Sequence, residues 1–296
     1  MKIAAIGEIL WDVFPDGEHL GGAVFNLAAH ARRLGHEVFF ISAVGEDARG
    51  KAALARMAEL GLAARFVRRV AGQATGTVSV WLDATGQPDF TIHRPAAYDY
   101  ADLSEEDLAE LAAWRPDWLC FGTLHQMHPA ARALTGKLIE ALPGARRFYD
   151  VNLRKQSYTP ELVLELMSVA NIVKLNDTEA VQIQRMFGRP LLDAAAFARS
   201  FAVEFGWEAV VITRGAQGCA VWRQGEWIEA PGYPVAVVDT VGAGDAFAAA
   251  FLHGLAEGWK LAKIADFANR VGALIASRAG AVPHWQPEEC WALERS

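Results

Sequence analysis

The stretch RRFYDVNLRKQSYTPELVLELMSVANIVKL, residues 146–175, decides the architecture. RRFYDV and NIVKL are short apolar runs rich in β-formers, and PELVLELMSVA between them has an amphipathic helical pattern. Strand, helix and strand at this spacing predict parallel strands joined by a crossover helix. The alternation extends in both directions. KIAAIGEI, EVFFISAV, DWLCFG and EAVVITRG read as further buried strands, and FNLAAHARRLG and ARGKAALARMAELG as helices. Ser104 with Asp107 fits a capping box, and Gly35 and Gly61 stand where helices should stop. Right-handed crossovers make such a sheet doubly wound, with helices on both faces. No repeat or low-complexity linker divides the chain, so residues 1–296 read as one α/β domain.

Residues 76–94, GTVSVWLDATGQPDFTIHR, break the pattern. They alternate with period two around a turn-like Ala84-Thr85-Gly86-Gln87, which predicts a β-hairpin. Leu10 to Gly22 could add strands to it. Segments of about 10–22 and 72–98 are therefore expected to form a small β-lid, a device that excludes water from a reaction.

Composition excludes several classes. With 28 basic and 35 acidic residues among 296, the chain carries −7 and has no basic run, so nucleic acid is not an expected partner. No apolar stretch approaches the roughly 20 residues of a membrane span. Cys120, Cys219 and Cys290 lack paired spacing, which favours a reducing compartment over disulfides or zinc. MKIAAIGEIL reads as a first strand and not a signal peptide, so a cytoplasmic location is expected.

Two nucleotide motifs fail. Gly45-Glu46-Asp47-Ala48-Arg49-Gly50-Lys51-Ala52 matches a P-loop except that Ala52 replaces the Mg²⁺-binding Ser or Thr. No G-x-G-x-x-G follows the first strand, which disfavours a dinucleotide site and an oxidoreductase. The strongest motif is Asp239-Thr240-Val241-Gly242-Ala243-Gly244-Asp245, ahead of the helical run AFAAAFLHGLA. Glycines at a helix start let backbone N–H groups converge on an anion. Asp245, in the first turn, could accept a proton from a hydroxyl attacking a bound phosphate. Glycines that only make a turn, with Asp245 as a helix cap, are the plain alternative.

This motif resembles that of the ribokinase-like (PfkB) carbohydrate kinases. Gly21-Gly22, Asn26, Leu34-Gly35, Val44-Gly45, Asp47 and Gly50 match the family's N-terminal pattern, which also accounts for the incomplete P-loop. Asn176 to Glu179 match its N-x-x-E element, and Thr213-Arg214-Gly215-Ala216-Gln217-Gly218 its nucleotide loop. The resemblance spans about residues 3–282 and implies a three-layer αβα sandwich with a mostly parallel central sheet and a small β-sheet lid. It implies Asp245 as catalytic base and the Gly242, Ala243 and Gly244 backbone as anion hole. Asn176 and Glu179 would order Mg²⁺-bound phosphates. Thr213, Gly215, Gly218 and Asn269 would line the ATP site, and Asp239 and Val241 would hold a monovalent cation such as K⁺.

For the acceptor, the resemblance implies Asp12, Gly22 and Asn26 as sugar ligands, with Arg94, Asn152 and Arg154 as further substrate residues. GEILWD, the Arg94 segment and Asp150-Val151-Asn152-Leu153-Arg154 resemble fructokinases, so the expected activity is ATP-dependent phosphorylation of a primary sugar hydroxyl, with fructose favoured. Val151 stands for the usual Pro, and Val24 and Phe25 for Pro and Ala beside the sugar site. A 2-keto-3-deoxygluconate kinase, another PfkB sugar or nucleoside kinase, and a non-catalytic sugar or nucleotide sensor are the alternatives. An exposed lid edge could pair with a second copy to give a homodimer.

Overall fold

The computed structural model describes residues 1–15, 17–82 and 88–295. In chain order its strands are β1 (Lys2–Ile6), β2 (Leu10–Phe14), β3 (Gly17–Gly21), β4 (Glu37–Gly45), β5 (Ala63–Val70), β6 (Gly76–Leu82) and β7 (Pro88–His93). They continue with β8 (Trp118–Gly122), β9 (Arg146–Asp150), β10 (Ile172–Asn176), β11 (Ala209–Thr213), β12 (Cys219–Arg223) and β13 (Glu226–Ala230). Among the described residues these form two sheets. The larger runs β13-β12-β11-β10-β9-β8-β1-β4-β5, and the smaller β3-β2-β6-β7.

The larger sheet is parallel from β11 to β5, as the strand–helix–strand alternation predicts. Its central strands are apolar on both faces because helices cover both faces. Along β1, Ile3 and Ala5 enter one core with Phe25, Phe251 and Trp285, while Ala4 and Ile6 enter the other with Leu166 and Phe201. The result is a helix, sheet, helix sandwich. Two features escape the pattern. β5 carries Arg65, Arg68 and Arg69, since an edge strand needs only one apolar flank. The β12–β13 pair is an antiparallel hairpin whose turn places Gln224 and Gly225 at φ 50° and 94°. Each strand is five residues long, too short for its alternation to stand out.

The smaller sheet joins the two segments expected to pair. β2 and β3 are antiparallel, β6 and β7 are antiparallel, and β2 runs parallel to β6. The expected turn at Ala84-Thr85-Gly86-Gln87 lies outside the described residues.

The incomplete P-loop has a structural use at the root of this sheet. Asp47 caps the helix Ala48–Glu59 by accepting from Gly50 N, and it also accepts from the backbone and hydroxyl of Thr75. Gly50 is needed because a Cβ there would lie 2.2 Å from the Gly45 carbonyl oxygen. The turn therefore fastens β4 to the residue preceding β6. Asp47→Ala should cost about 1–2 kcal/mol, the value of a lost N-cap, read as a lower urea midpoint with an unchanged m-value.

Candidate active site

Parallel α/β sheets place their loops and helix N-termini at the strands' carboxyl ends, where ligands bind. The motif residues collect there. The helix Ala243–Ala256 starts at Gly242, whose φ is 78° and whose position takes no Cβ, because one would lie 2.4 Å from the Ala281 carbonyl oxygen. No side chain caps this N-terminus. Its first N–H groups and the positive end of the helix dipole would favour an anion there.

Asp245, one turn in, is buried. Asn26 Nδ2 donates to its Oδ2 at 2.8 Å, joining residues 219 positions apart. Burial pushes the Asp245 carboxyl up to about 7, with Asp150 adding to the rise and Lys174, the Asn26 bond and Arg154 opposing it. A carboxylate poised near neutrality suits a general base. Asn26 belongs to the helix Ala23–Arg33, which begins at Gly22 with φ 122°; a Cβ at Gly22 would overlap the Glu8 carbonyl at 2.2 Å. One turn beyond Asn26, His30 Nε2–H donates to the Ala281 carbonyl at 2.9 Å, while Trp285 Nε1 donates to His30 Nδ1 at 3.1 Å. This arrangement fixes the neutral tautomer, and burial lowers the ring to about 4. One helix face therefore holds both the Asp245 carboxyl and the loop beneath Gly242.

Asp12, on β2, is raised to about 6 by burial, with Arg154 and His19 opposing. Arg154 is exposed and acts on Glu8, Asp12 and Asp245 together. Asn152 adopts φ 38°, left-handed backbone that Asn tolerates. Arg94 is turned into the protein. It donates to the Leu124 carbonyl at 2.8 Å and pairs with buried Asp99. The structure thus brings Asp12, Asn26, Arg154 and Asp245 together and commits Arg94 to an internal ion pair.

Asn176 and Glu179 form a reciprocal capping box at the start of the helix Asp177–Met186. The second Glu179 oxygen accepts from Leu153 N at 2.7 Å, tying this box to the Asn152–Arg154 turn. Thr213 ends β11. Gly215 and Gly218 adopt positive φ just beyond it, and Gly218 packs on the carbonyl of Ala230. Asn269 is buried and donates to the carbonyls of Ala230 and Pro231, holding the backbone against which Gly218 packs. Asp239 accepts from Val241 N at 2.9 Å and Gly280 N at 3.0 Å, bracing the loop before the helix.

Three neighbours were quoted in motifs without a role. Lys174 and Asp150 form a buried ion pair of 2.8 Å beside Asp245. The signal was a lysine inside the apolar run NIVKL. Glu8 is also buried; its Oε1 accepts from Ala23 N, and its Oε2 has no hydrogen-bond partner among the described residues. A wider cavity of about 890 Å³ lies at the opposite ends of β1, β8 and β9, lined by Met1, Asp117 and Arg146, away from this cluster.

The chain belongs to the family of pfkB family carbohydrate kinases, whose model matches residues 12–287. It is therefore a sugar phosphotransferase. It is 30% identical to a fructokinase of Escherichia coli, over 95% of each chain. An uncharacterized sugar kinase from Pyrococcus horikoshii, solved in complex with ATP, superposes with a TM-score of 0.83 at 27% identity, covering 97% of this chain and 96% of that one. The fold is shared equally with a 2-dehydro-3-deoxygluconokinase of Thermotoga maritima, with a TM-score of 0.87 at 20% identity and 98% of each chain covered.

A carboxyl whose folded pKa is raised favours the folded state below its unfolded pKa and loses that advantage as pH rises through the folded value. Asp245→Asn should therefore raise Tm relative to wild type by an amount that grows between pH 4 and pH 7 and then levels. Thermal melts across that range check this sign.

Proposed function

We propose that the chain transfers the γ-phosphate of ATP to a primary hydroxyl of a neutral sugar, with fructose as the acceptor. The observation that carries this reading is the 2.8 Å bond from Asn26 to Asp245, which couples a sugar-binding residue to a base at a helix N-terminus. The acceptor hydroxyl would lose its proton to Asp245 as its oxygen attacks the γ-phosphorus in line. The Gly242–Gly244 backbone would take the developing charge, and positioning would supply most of the rate.

The uncapped N-terminus suits the phosphates of a nucleotide that carries its own Mg²⁺. When bound, that ion would neutralise phosphate charge, and Asn176 and Glu179 would order the Mg²⁺-bound phosphates. Thr213, Gly215, Gly218 and the Asn269-braced loop would line the nucleotide site. Asp239 and Val241 are the proposed holders of K⁺. The four-stranded sheet, residues 10–22 and 72–98 with their connections, would close over the acceptor as a lid, and its exposed edge is the proposed contact between two copies.

Charge favours a neutral acceptor. Glu8, Asp12 and Asp245 all feel the Arg154 charge, and Arg94, which also acts on Glu8, is paired with Asp99. A ketodeoxygluconate carboxylate would find one available arginine among three carboxylates. The test is ADP release with MgATP over fructose, ribose, ketodeoxygluconate, tagatose and nucleosides. Fructose should give the highest kcat/KM, and Asp245→Asn should lower kcat by ~10²–10⁴. ADP from no acceptor would support a sensor instead. Asp12→Ala should raise the acceptor KM by about 10- to 100-fold, the worth of hydrogen bonds to a charged group, with the KM for ATP little changed.

A further inference from the structure

We propose that Lys174 and Asp150 act as a positioning pair that sets the charge state of Asp245 from beneath the anion hole. The two residues face each other across the parallel β9–β10 ladder. Lys174 Nζ donates to both Asp150 oxygens, at 2.8 and 3.0 Å, and both side chains are buried. On its other side, the same ammonium lies 3.4 Å from where a Gly244 side chain would begin, directly under the first turn of the Ala243–Ala256 helix. Val151 N donates to the Lys174 carbonyl, so the strand that carries Lys174 also anchors the start of the Asn152–Arg154 turn.

A buried ion pair of this kind adds little net stability, and apolar replacements are often neutral or stabilising. Its value here lies in position. The groups facing Asp245 are Asp150 from β9, Lys174 from β10, Asn26 from the Ala23–Arg33 helix and Arg154 from the loop after β9. Glu179, from the Asp177–Met186 helix, acts on Lys174 and is itself acted on by Asp150. Within this set the two halves of the pair pull in opposite directions. The Asp150 carboxylate opposes ionisation of Asp245, and the Lys174 ammonium favours it. Together they leave the carboxyl poised for proton transfer, and the ammonium limits how the Gly244 peptide can settle.

This inference rests on Asp245 as the base, and its test separates the two. The Asp245 carboxyl is titrated by ¹³C NMR in the ligand-free protein, and the acidic limb of kcat is measured in parallel. Asp150→Asn should lower the midpoint, and Lys174→Met should raise it, each on the order of one pH unit, as expected for a charge within about 4–6 Å. The double variant D150N/K174M has lost both charges and should titrate above D150N. That comparison holds if Lys174→Met alone fails to fold. Shifts of the same sign in the two single variants, or no difference between D150N and the double variant, would overturn the proposal. Near-normal turnover by Asp245→Asn would instead remove the base assignment, leaving the NMR titration to judge the pair on its own.

Discussion

The bond from Asn26 to Asp245 is the constraint on which the rest depends. It closes a contact between the first helix and the C-terminal helix pair, and it ends on a carboxylate removed from water. Burying that group carries an electrostatic cost, which the surroundings offset in part with an amide donor, Lys174 and Arg154. The same burial raises the carboxyl's proton affinity into the neutral range. Ionising it near pH 7 therefore opposes folding at this residue.

The sheet explains how so many charged groups meet without unfolding the core. Parallel strands apolar on both faces hold the two helix layers apart, and most of the polar groups that the sheet contributes to the cluster stand at the strands' carboxyl ends. Asp150 ends β9, Asn176 ends β10 and Thr213 ends β11. Lys174 is the exception, a charge inside a buried strand, tolerated because Asp150 lies opposite in the ladder. The glycines have an equally local logic. Gly22 and Gly242 adopt positive φ where a Cβ would overlap a carbonyl oxygen, so each permits a close approach that seats a helix start.

Much of this was legible in the linear chain. The strand–helix alternation, the segments of the smaller sheet and the glycine–aspartate motif all follow from local spacing, because periodicity and turn chemistry are local properties. The edges were less legible. β5 is rich in arginine and β12–β13 is a short hairpin, and neither needs the apolar pattern that marks a central strand. Arg94 illustrates a different limit. The resemblance implied a substrate residue there, and only the fold shows that Asp99, five residues on, pairs with it.

What the sequence determined by itself was the architecture and the residue types available for phosphoryl transfer, since both are written in neighbouring positions. Tertiary structure decided which of those residues are charged, paired or spent. It set Asn26 against Asp245, Lys174 against Asp150 and Gly244, and Arg94 against Asp99. The physical reason is that a side chain's proton affinity and hydrogen-bonding state depend on solvent exclusion and on charges a few ångströms away, and those neighbours come from distant parts of the chain.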